Sequence, residues 1–311
     1  MANNIFVIAE HLKGKVDDVT YEMLGKAKEL AAGGQVVAVL LGSGAKGLAA
    51  DFAADKVLYV DSPELAEYNP EAYGKTIASL VSAHAPKAVL VAYTSQGVDI
   101  AAGICVDCDM PLVAYATGIS GNHVTSQLYG GKMNVESAVD GDRFVAAVIP
   151  GSFPAAAGKG GGAAVEDAPA PDLSGLKVKF KKLIEPAGGD VDITQSPILV
   201  SVGRGIQSED NLPVVQALAD KLGGALSSSR PIVDAKWLPK TRQVGKSGLK
   251  VKPKLYIAVG ISGAPEHIEG MKDAECIIAI NTDPKAPIFS YAHYGVTEDL
   301  FDVVPALVDK L

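Results

Sequence analysis

The chain has 311 residues, of which 48% are hydrophobic and 21% charged, and its formal net charge is −8. This composition supplies enough apolar surface for two folded domains and excludes a disordered chain. Because the chain is acidic overall, we expect neither nucleic acid nor an anionic membrane surface as a partner.

The first residues, MANNIFVIAEHLKG, carry neither a basic segment nor an apolar stretch suited to export or membrane insertion. We therefore expect a soluble, cytoplasmic protein. Cys105, Cys108 and Cys276 are too few for a disulfide framework. Cys105 and Cys108 form a C-x-x-C, but no second pair of ligands is placed to complete a zinc shell. We predict no metal site and place both cysteines on a helix of the first domain.

The first part of the chain alternates short apolar runs with amphipathic segments, which is typical of β-α-β units around a parallel sheet. Strands are predicted at 5–9, 35–41, 56–60 and 88–93, and helices at 20–32, 45–54 and 72–83. Residues 110–153 are β-rich. There, Gly-Gly and Asp-Gly pairs separate segments 124–129, 132–136 and 144–149, which predicts hairpins.

Residues 154–171 are mainly alanine, glycine and proline. Such a segment lacks large apolar side chains to bury, so we predict a flexible loop or linker. A new alternating pattern follows, and we place a domain boundary near residue 190. The predicted domains are 1–190 and 191–311.

The second domain repeats the α/β pattern, with strands predicted at 197–202, 255–259 and 276–280 and helices at 208–222 and 299–310. Each strand ends in a glycine-rich or polar loop. In open parallel sheets, ligands collect at the carboxyl ends of strands, where backbone N–H groups converge. We therefore expect two Rossmann-like domains, each with a mainly parallel sheet flanked by helices, and a nucleotide ligand in the second.

Gly203, Arg204 and Gly205 follow a strand and offer backbone donors and a guanidinium. Ser208 stands where the third glycine of a dinucleotide fingerprint would fall, so a plain strand-to-helix turn explains this segment equally well. Residues 260–264 repeat the arrangement after another strand. Residues 227–231 and 243–248 are polar loops for which a solvated turn is the ordinary interpretation.

The sequence contains no Ser/His/Asp set at recognisable spacing, no HExxH and no paired catalytic carboxylates. The segment GKSG at 245–248 lacks the first glycine of a Walker loop and a preceding strand. The pattern indicates a ligand cradle without hydrolytic machinery.

Several segments closely resemble, in the same order, the C-terminal FAD domain of electron transfer flavoprotein alpha subunits. They are SVGRGI (201–206), SSRPIVDAKWLPKTRQVGKSG (228–248), LYIAVGISGAPEHIEGM (255–271), INTDPKAPIF (280–289) and AHYGVTEDLF (292–301). The opening IFVIAEH (5–11) is similar to that family's first strand. The resemblance implies an electron carrier, not a stand-alone enzyme. It would bind FAD, pair with a beta subunit and pass electrons from a flavin-dependent dehydrogenase, such as acyl-CoA dehydrogenase, to a downstream acceptor.

The resemblance also implies which residues touch FAD. Arg230 would lie against the flavin ring, Ser247 near its N5 and O4 edge, and His267 near the N1 and C2 carbonyl edge. Such groups would favour an anionic semiquinone, which a one-electron carrier requires. The implied contacts are Arg204, Ser229, Arg230, Val244, Gly245, Lys246, Ser247, Ser262, Gly263, Ala264, Pro265, Glu266, His267, Asn281, Asp299 and Leu300.

Lys246 stands where the family often has glutamine, and Pro265-Glu266 replaces the usual Ile-Gln or Val-Gln. Alternatives therefore stay open: a subunit of an electron-bifurcating, NADH-oxidising complex, or a redox-inactive nucleotide-binding scaffold. A nicotinamide-dependent oxidoreductase is a third, disfavoured because the strand-linked G-x-G-x-x-G is missing.

Overall fold

The computed structural model describes residues 3–129, 131–183 and 191–311. The chain separates into two units, Met1–Lys182 and Leu183–Leu311. The boundary predicted near residue 190 lies outside the described residues. Each unit is a mainly parallel sheet flanked by helices, and this confirms the predicted fold class.

The first unit forms, within its described residues, a nine-stranded sheet in the order β11-β5-β4-β1-β6-β10-β7-β8-β9. Its strands are β1 Ile5–Ile8, β4 Val36–Gly42, β5 Lys56–Asp61, β6 Ala88–Ala92, β7 Leu112–Ser120, β8 His123–Leu128, β9 Met133–Ala138, β10 Phe144–Val148 and β11 Ala164–Asp167, and a separate ribbon pairs β2 His11–Leu12 with β3 Lys15–Val16. Its helices are α1 Asp18–Ala31, α2 Pro70–His84 and α3 Ser95–Asp107. Strands β7, β8 and β9 are joined antiparallel and the other pairs in the sheet are parallel.

Side chains alternate between the two faces of this sheet, and a core forms on each. Val7 and Leu40 pack with Met23 of α1 on one face. Phe6 of the same strand points to the other face, where it packs with Ile77 of α2 and the residues of α3. Because successive side chains of β1 enter opposite cores, every residue of this strand is apolar.

The β-rich region differs in part from the prediction. Strands β8 and β9 form the expected hairpin, but β10 lies parallel between β6 and β7. The unpredicted β7 is half-buried along most of its length, so its sequence lacks a clear alternation. The predicted helix at 45–54 is a short 3-10 turn, Lys46–Asp51.

Residues 154–171, predicted as a linker, are built into the first unit, so that prediction is wrong. The turn Ala155–Gly158 packs against α1, and a Cβ on Gly158 would lie 1.8 Å from the Tyr21 carbonyl oxygen. Strand β11 then pairs with β5 at the edge of the sheet. Small residues are present because the backbone itself touches the helix. A count of large apolar side chains does not reveal packing that involves the backbone.

The second unit has an all-parallel sheet which, as far as the structure describes it, has five strands in the order β13-β12-β14-β15-β16. Its strands are β12 Ile198–Val202, β13 Ala225–Ser228, β14 Leu255–Val259, β15 Cys276–Ile280 and β16 Tyr294–Val296, and its helices are α4 Leu212–Leu222, α5 Arg230–Asp234, α6 Pro265–Met271 and α7 Leu300–Lys310. The order reverses between β12 and β14, and ligands bind at such a switch point in open α/β sheets.

No helix in the described ranges combines the length and the apolar character needed to cross a membrane.

Candidate functional site

A cavity of about 600 Å³ opens at the carboxyl edge of the second sheet. Most residues predicted as contacts line it: Arg204, Ser229, Arg230, Val244, Gly245, Lys246, Ser247, Ser262, Gly263, Ala264, Glu266, His267 and Asn281. Pro265, Asp299 and Leu300 lie outside this lining: Pro265 starts α6, Asp299 caps α7 by accepting from Phe301 N, and Leu300 is buried beside Gly260. The fold thus brings together loops that follow β12, β13, β14 and β15.

Glycines let two of these loops meet at the switch point. A Cβ on Gly205 would lie 2.7 Å from the Gly260 Cα, and one on Gly203 would lie 2.4 Å from the Gly260 carbonyl oxygen. Gly205 N donates to that same oxygen at 3.0 Å. The Gly-Arg-Gly segment therefore holds the two loops together and projects Arg204 into the cavity wall.

Arg230 begins α5, directly after β13. Its Nε lies 3.3 Å from Asp234 Oδ2, and both side chains are about two-thirds exposed. An exposed pair one helical turn apart contributes little to stability. The Arg230 guanidinium can therefore turn to a ligand at small cost.

The loop 243–248 is fixed by backbone hydrogen bonds on both sides. Val244 N donates to the Ser228 carbonyl at 2.9 Å, and Lys246 N donates to the Glu266 carbonyl at 2.8 Å. The loop bridges the end of β13 and the start of α6. It places Lys246 and Ser247 in the cavity wall.

The loop after β14 presents free backbone donors. The N–H groups of Ser262, Gly263 and Ala264 have no acceptor among the residues that the structure describes. The Ser262 carbonyl is tied to Ile288 N at 3.0 Å, and Asn281 Nδ2 donates to the Ile261 carbonyl at 2.9 Å. Consecutive donors of this kind can bind a phosphate or another anion.

His267 is the buried titratable group of the site. It is 6% exposed, and its Nε2 lies 2.9 Å from the hydroxyl of Tyr256. Burial lowers the pKa of His267 to about 4, and the Val244 carbonyl opposes that shift in part. The imidazole is therefore uncharged at neutral pH and offers the cavity a hydrogen-bonding group, not a positive charge.

The first unit has a different arrangement at its own switch point, between β1 and β6. Thr94 Oγ1 donates to Glu10 Oε2 at 2.7 Å, and burial raises the pKa of Glu10. A carboxyl group thus stands where a phosphate would bind in a nucleotide domain.

Cys105 and Cys108 lie at the end of α3. Cys105 lies in α3 and Cys108 directly follows it, where its Sγ is 3.7 Å from the Ala78 carbonyl. Within the part of the chain that the structure describes, no cluster of three or more ligating side chains could hold a metal ion.

The contact set implied by the resemblance left out five lining residues, although each lies in a loop that the sequence singled out: Gly205, Pro231, Gln243, Gly260 and Ile261. It also missed the polar groups beneath it: Ser201, Ser227 and Tyr256 are fully buried. The sequence does carry a signal for these groups, because serine and tyrosine hydroxyls inside apolar strands need hydrogen-bond partners.

The sequence is similar to a single family along nearly its whole length. A family model described as the electron transfer flavoprotein domain matches residues 5–173, and another, described as the electron transfer flavoprotein FAD-binding domain, matches residues 192–272. The chain is 36% identical over 313 residues to an electron transfer flavoprotein subunit alpha of Syntrophomonas wolfei, covering 98% of each.

Two further relatives agree with these matches. A subunit alpha of Thermoanaerobacterium thermosaccharolyticum is 37% identical, with 99% of this chain and 97% of the relative covered. Protein FixB of Clostridium saccharobutylicum is 34% identical, with 98% and 95% covered. These matches confirm the resemblance noted in the sequence, and the chain belongs to the electron transfer flavoprotein alpha-subunit family.

Proposed function

We propose that this chain holds one FAD in the cavity of its second unit and, paired with a beta subunit, carries electrons between proteins in the cytoplasm. The observation that carries the proposal is the match of residues 192–272 to a domain described as FAD-binding, within the unit that contains the cavity.

The chemistry of the lining fits a dinucleotide. A cavity of about 600 Å³ has the size of a small-molecule site. The side chains of Arg204, Arg230 and Lys246 bring positive charge to its wall, against the carboxylate of Glu266. The unpaired N–H groups of 262–264 can receive the oxygens of a pyrophosphate. We assign this loop to the pyrophosphate.

The flavin end is assigned to Arg230, Ser247 and His267. When bound, FAD supplies the redox centre that accepts and releases electrons. The residues orient the ring and place positive charge and hydrogen-bond donors where reduction adds negative charge. The buried Nδ1 of His267 has no hydrogen-bond partner at standard geometry in the described ranges, which supports its use by a ligand.

The differences from the family pattern at Lys246, Pro265 and Glu266 are compatible with a site that binds flavin. Pro265 is at the first position of α6, where a missing N–H costs nothing. The backbone carbonyl of Glu266 accepts a hydrogen bond from Lys246 N, and any residue at position 266 would offer that carbonyl. Neither departure therefore gives a reason to expect a weakened site.

The carrier role rests on membership of the electron transfer flavoprotein family. Family membership supports a flavin-dependent dehydrogenase, such as acyl-CoA dehydrogenase, as the donor, together with a downstream electron acceptor.

Cofactor analysis tests the proposal. The chain would be co-expressed with its beta subunit, the complex denatured, and the released flavin identified by chromatography and mass. We expect FAD in the wild type and little in an Arg204→Ala/Arg230→Ala variant. A colourless wild-type complex that binds only AMP or ADP would contradict the proposal.

A further inference from the structure

A buried hydrogen bond lies directly behind the cavity wall. Tyr256 lies on β14 and is fully buried, and its hydroxyl is 2.9 Å from Nε2 of His267 in the first turn of α6. The other ring nitrogen, Nδ1, is also buried and has no partner at standard hydrogen-bond geometry among the described residues. One nitrogen is thus anchored to the core, and the other remains for a ligand in the cavity that His267 lines.

The direction of the Tyr256–His267 bond decides what Nδ1 can do. A neutral imidazole carries one N–H, and the partner of one nitrogen determines which of the two is protonated. If the tyrosine donates to Nε2, the proton is on Nδ1 and this nitrogen is a donor. If the tyrosine accepts, Nδ1 is an acceptor.

The surroundings of the phenol favour donation by the tyrosine. Ser201 and Ser227 share its face of the sheet, but neither hydroxyl reaches the phenol at standard hydrogen-bond geometry. Among the described residues, Nε2 of His267 is therefore the acceptor within reach of the phenol O–H. If the phenol accepted from Nε2 instead, its own buried proton would be left without an acceptor.

We propose that Tyr256 is a positioning residue that donates its hydroxyl proton to Nε2 of His267 and so holds the ring as the neutral Nδ1–H tautomer, a ready donor to the ligand. The inference rests on the proposed function for the identity of that ligand, the electron-rich carbonyl edge of a flavin. The tautomer itself is a property of the chain without flavin.

The tautomer can be read directly by ¹⁵N NMR on the full-length, flavin-free chain labelled at its five histidines, with His267→Gln used to assign the signals. At neutral pH we expect a pyrrole-like Nδ1 and a pyridine-like Nε2. In Tyr256→Phe we expect the signals to move toward the Nε2–H form. A pyrrole-like Nε2 in the wild type would overturn the inference, whether or not the protein binds flavin.

Flavin affinity gives the second readout. Loss of one positioned hydrogen bond should weaken FAD binding by Tyr256→Phe roughly five- to tenfold. The matched control is Tyr73→Phe, which also removes a buried hydroxyl, one that donates to the Leu65 carbonyl in the first unit. Equal FAD affinity in wild type and Tyr256→Phe would overturn the positioning role. The wild-type NMR signals decide the tautomer even if Tyr256→Phe folds poorly.

Discussion

Burial makes His267 a pH-sensitive residue of the flavin-free protein. Its pKa is about 4 in the folded chain, against 6.5 as the ordinary value. The unfolded chain therefore takes up the proton at a higher pH than the folded one. The stabilising contribution of the neutral ring is complete above pH 6.5 and is lost as the pH falls through 4.

We predict that the free energy of unfolding falls by up to roughly 3 kcal/mol between pH 6.5 and 4 because of this one group. Denaturant unfolding of the wild type and His267→Gln at several pH values measures it, and the variant should lose that part of the pH dependence. His123→Gln, at an exposed position, is the control. Identical pH profiles for wild type and His267→Gln would contradict the prediction.

Arg230 brings an exposed guanidinium to the cavity wall. Because a charge-assisted hydrogen bond is worth more than a neutral one, Arg230→Ala should weaken FAD binding roughly 10- to 100-fold. It should also lower the yield of singly reduced flavin. The side chain is exposed, so unfolding should change by less than about 0.5 kcal/mol.

Asp234→Ala is the matched control for Arg230→Ala, because it breaks the same ion pair but keeps the guanidinium. We expect it to retain FAD like the wild type. Fluorescence titration of flavin-free protein measures both variants. If Arg230→Ala binds FAD like Asp234→Ala, Arg230 is not part of the site.

The turn Ala155–Gly158 packs against α1, although its composition is typical of a linker. Gly158→Ala would force a Cβ against the Tyr21 carbonyl, and such overpacking costs about 1–3 kcal/mol. Thermal or denaturant unfolding measures the loss. Gly47→Ala is the control, because a Cβ there meets open space. Equal stability of the two variants would mean that the turn does not pack on α1 as described.

The strands that could be predicted are continuous apolar runs. Strands β14 and β15, LYIAV and CIIAI, lie at the predicted bounds because polar or glycine residues follow each directly. Strand β13, ALSS, was missed because its buried serines read as part of a loop. Strand β11, AVED, is a mostly exposed edge strand held by its backbone, so its side chains carry little signal.

The candidate site was predictable to a similar extent. Arg204, Arg230 and His267 were singled out by their position after strands and by the resemblance, and the fold brings them to one cavity. The Tyr256–His267 contact joins a strand to the first turn of a following helix. It depends on sheet register and on the direction of α6, which sequence spacing does not supply.

For the molecule as a whole, the two units have separate cores, and the described residues that line the cavity all belong to the second unit. Binding to one folded unit stabilises that unit, by about 2.7 kcal/mol at a hundredfold excess over Kd. We predict that FAD slows hydrogen exchange most in the loops after β12, β13 and β14. Equal protection across the first unit, measured by mass spectrometry, would contradict a site confined to the second.

The flavin that we propose for this chain would carry electrons one at a time. The visible spectrum of the complex with the beta subunit during anaerobic stepwise reduction tests this. We predict flavin absorption that passes through a red, anionic, singly reduced species before bleaching. Absence of flavin absorption, or reduction in a single two-electron step, would contradict the claim.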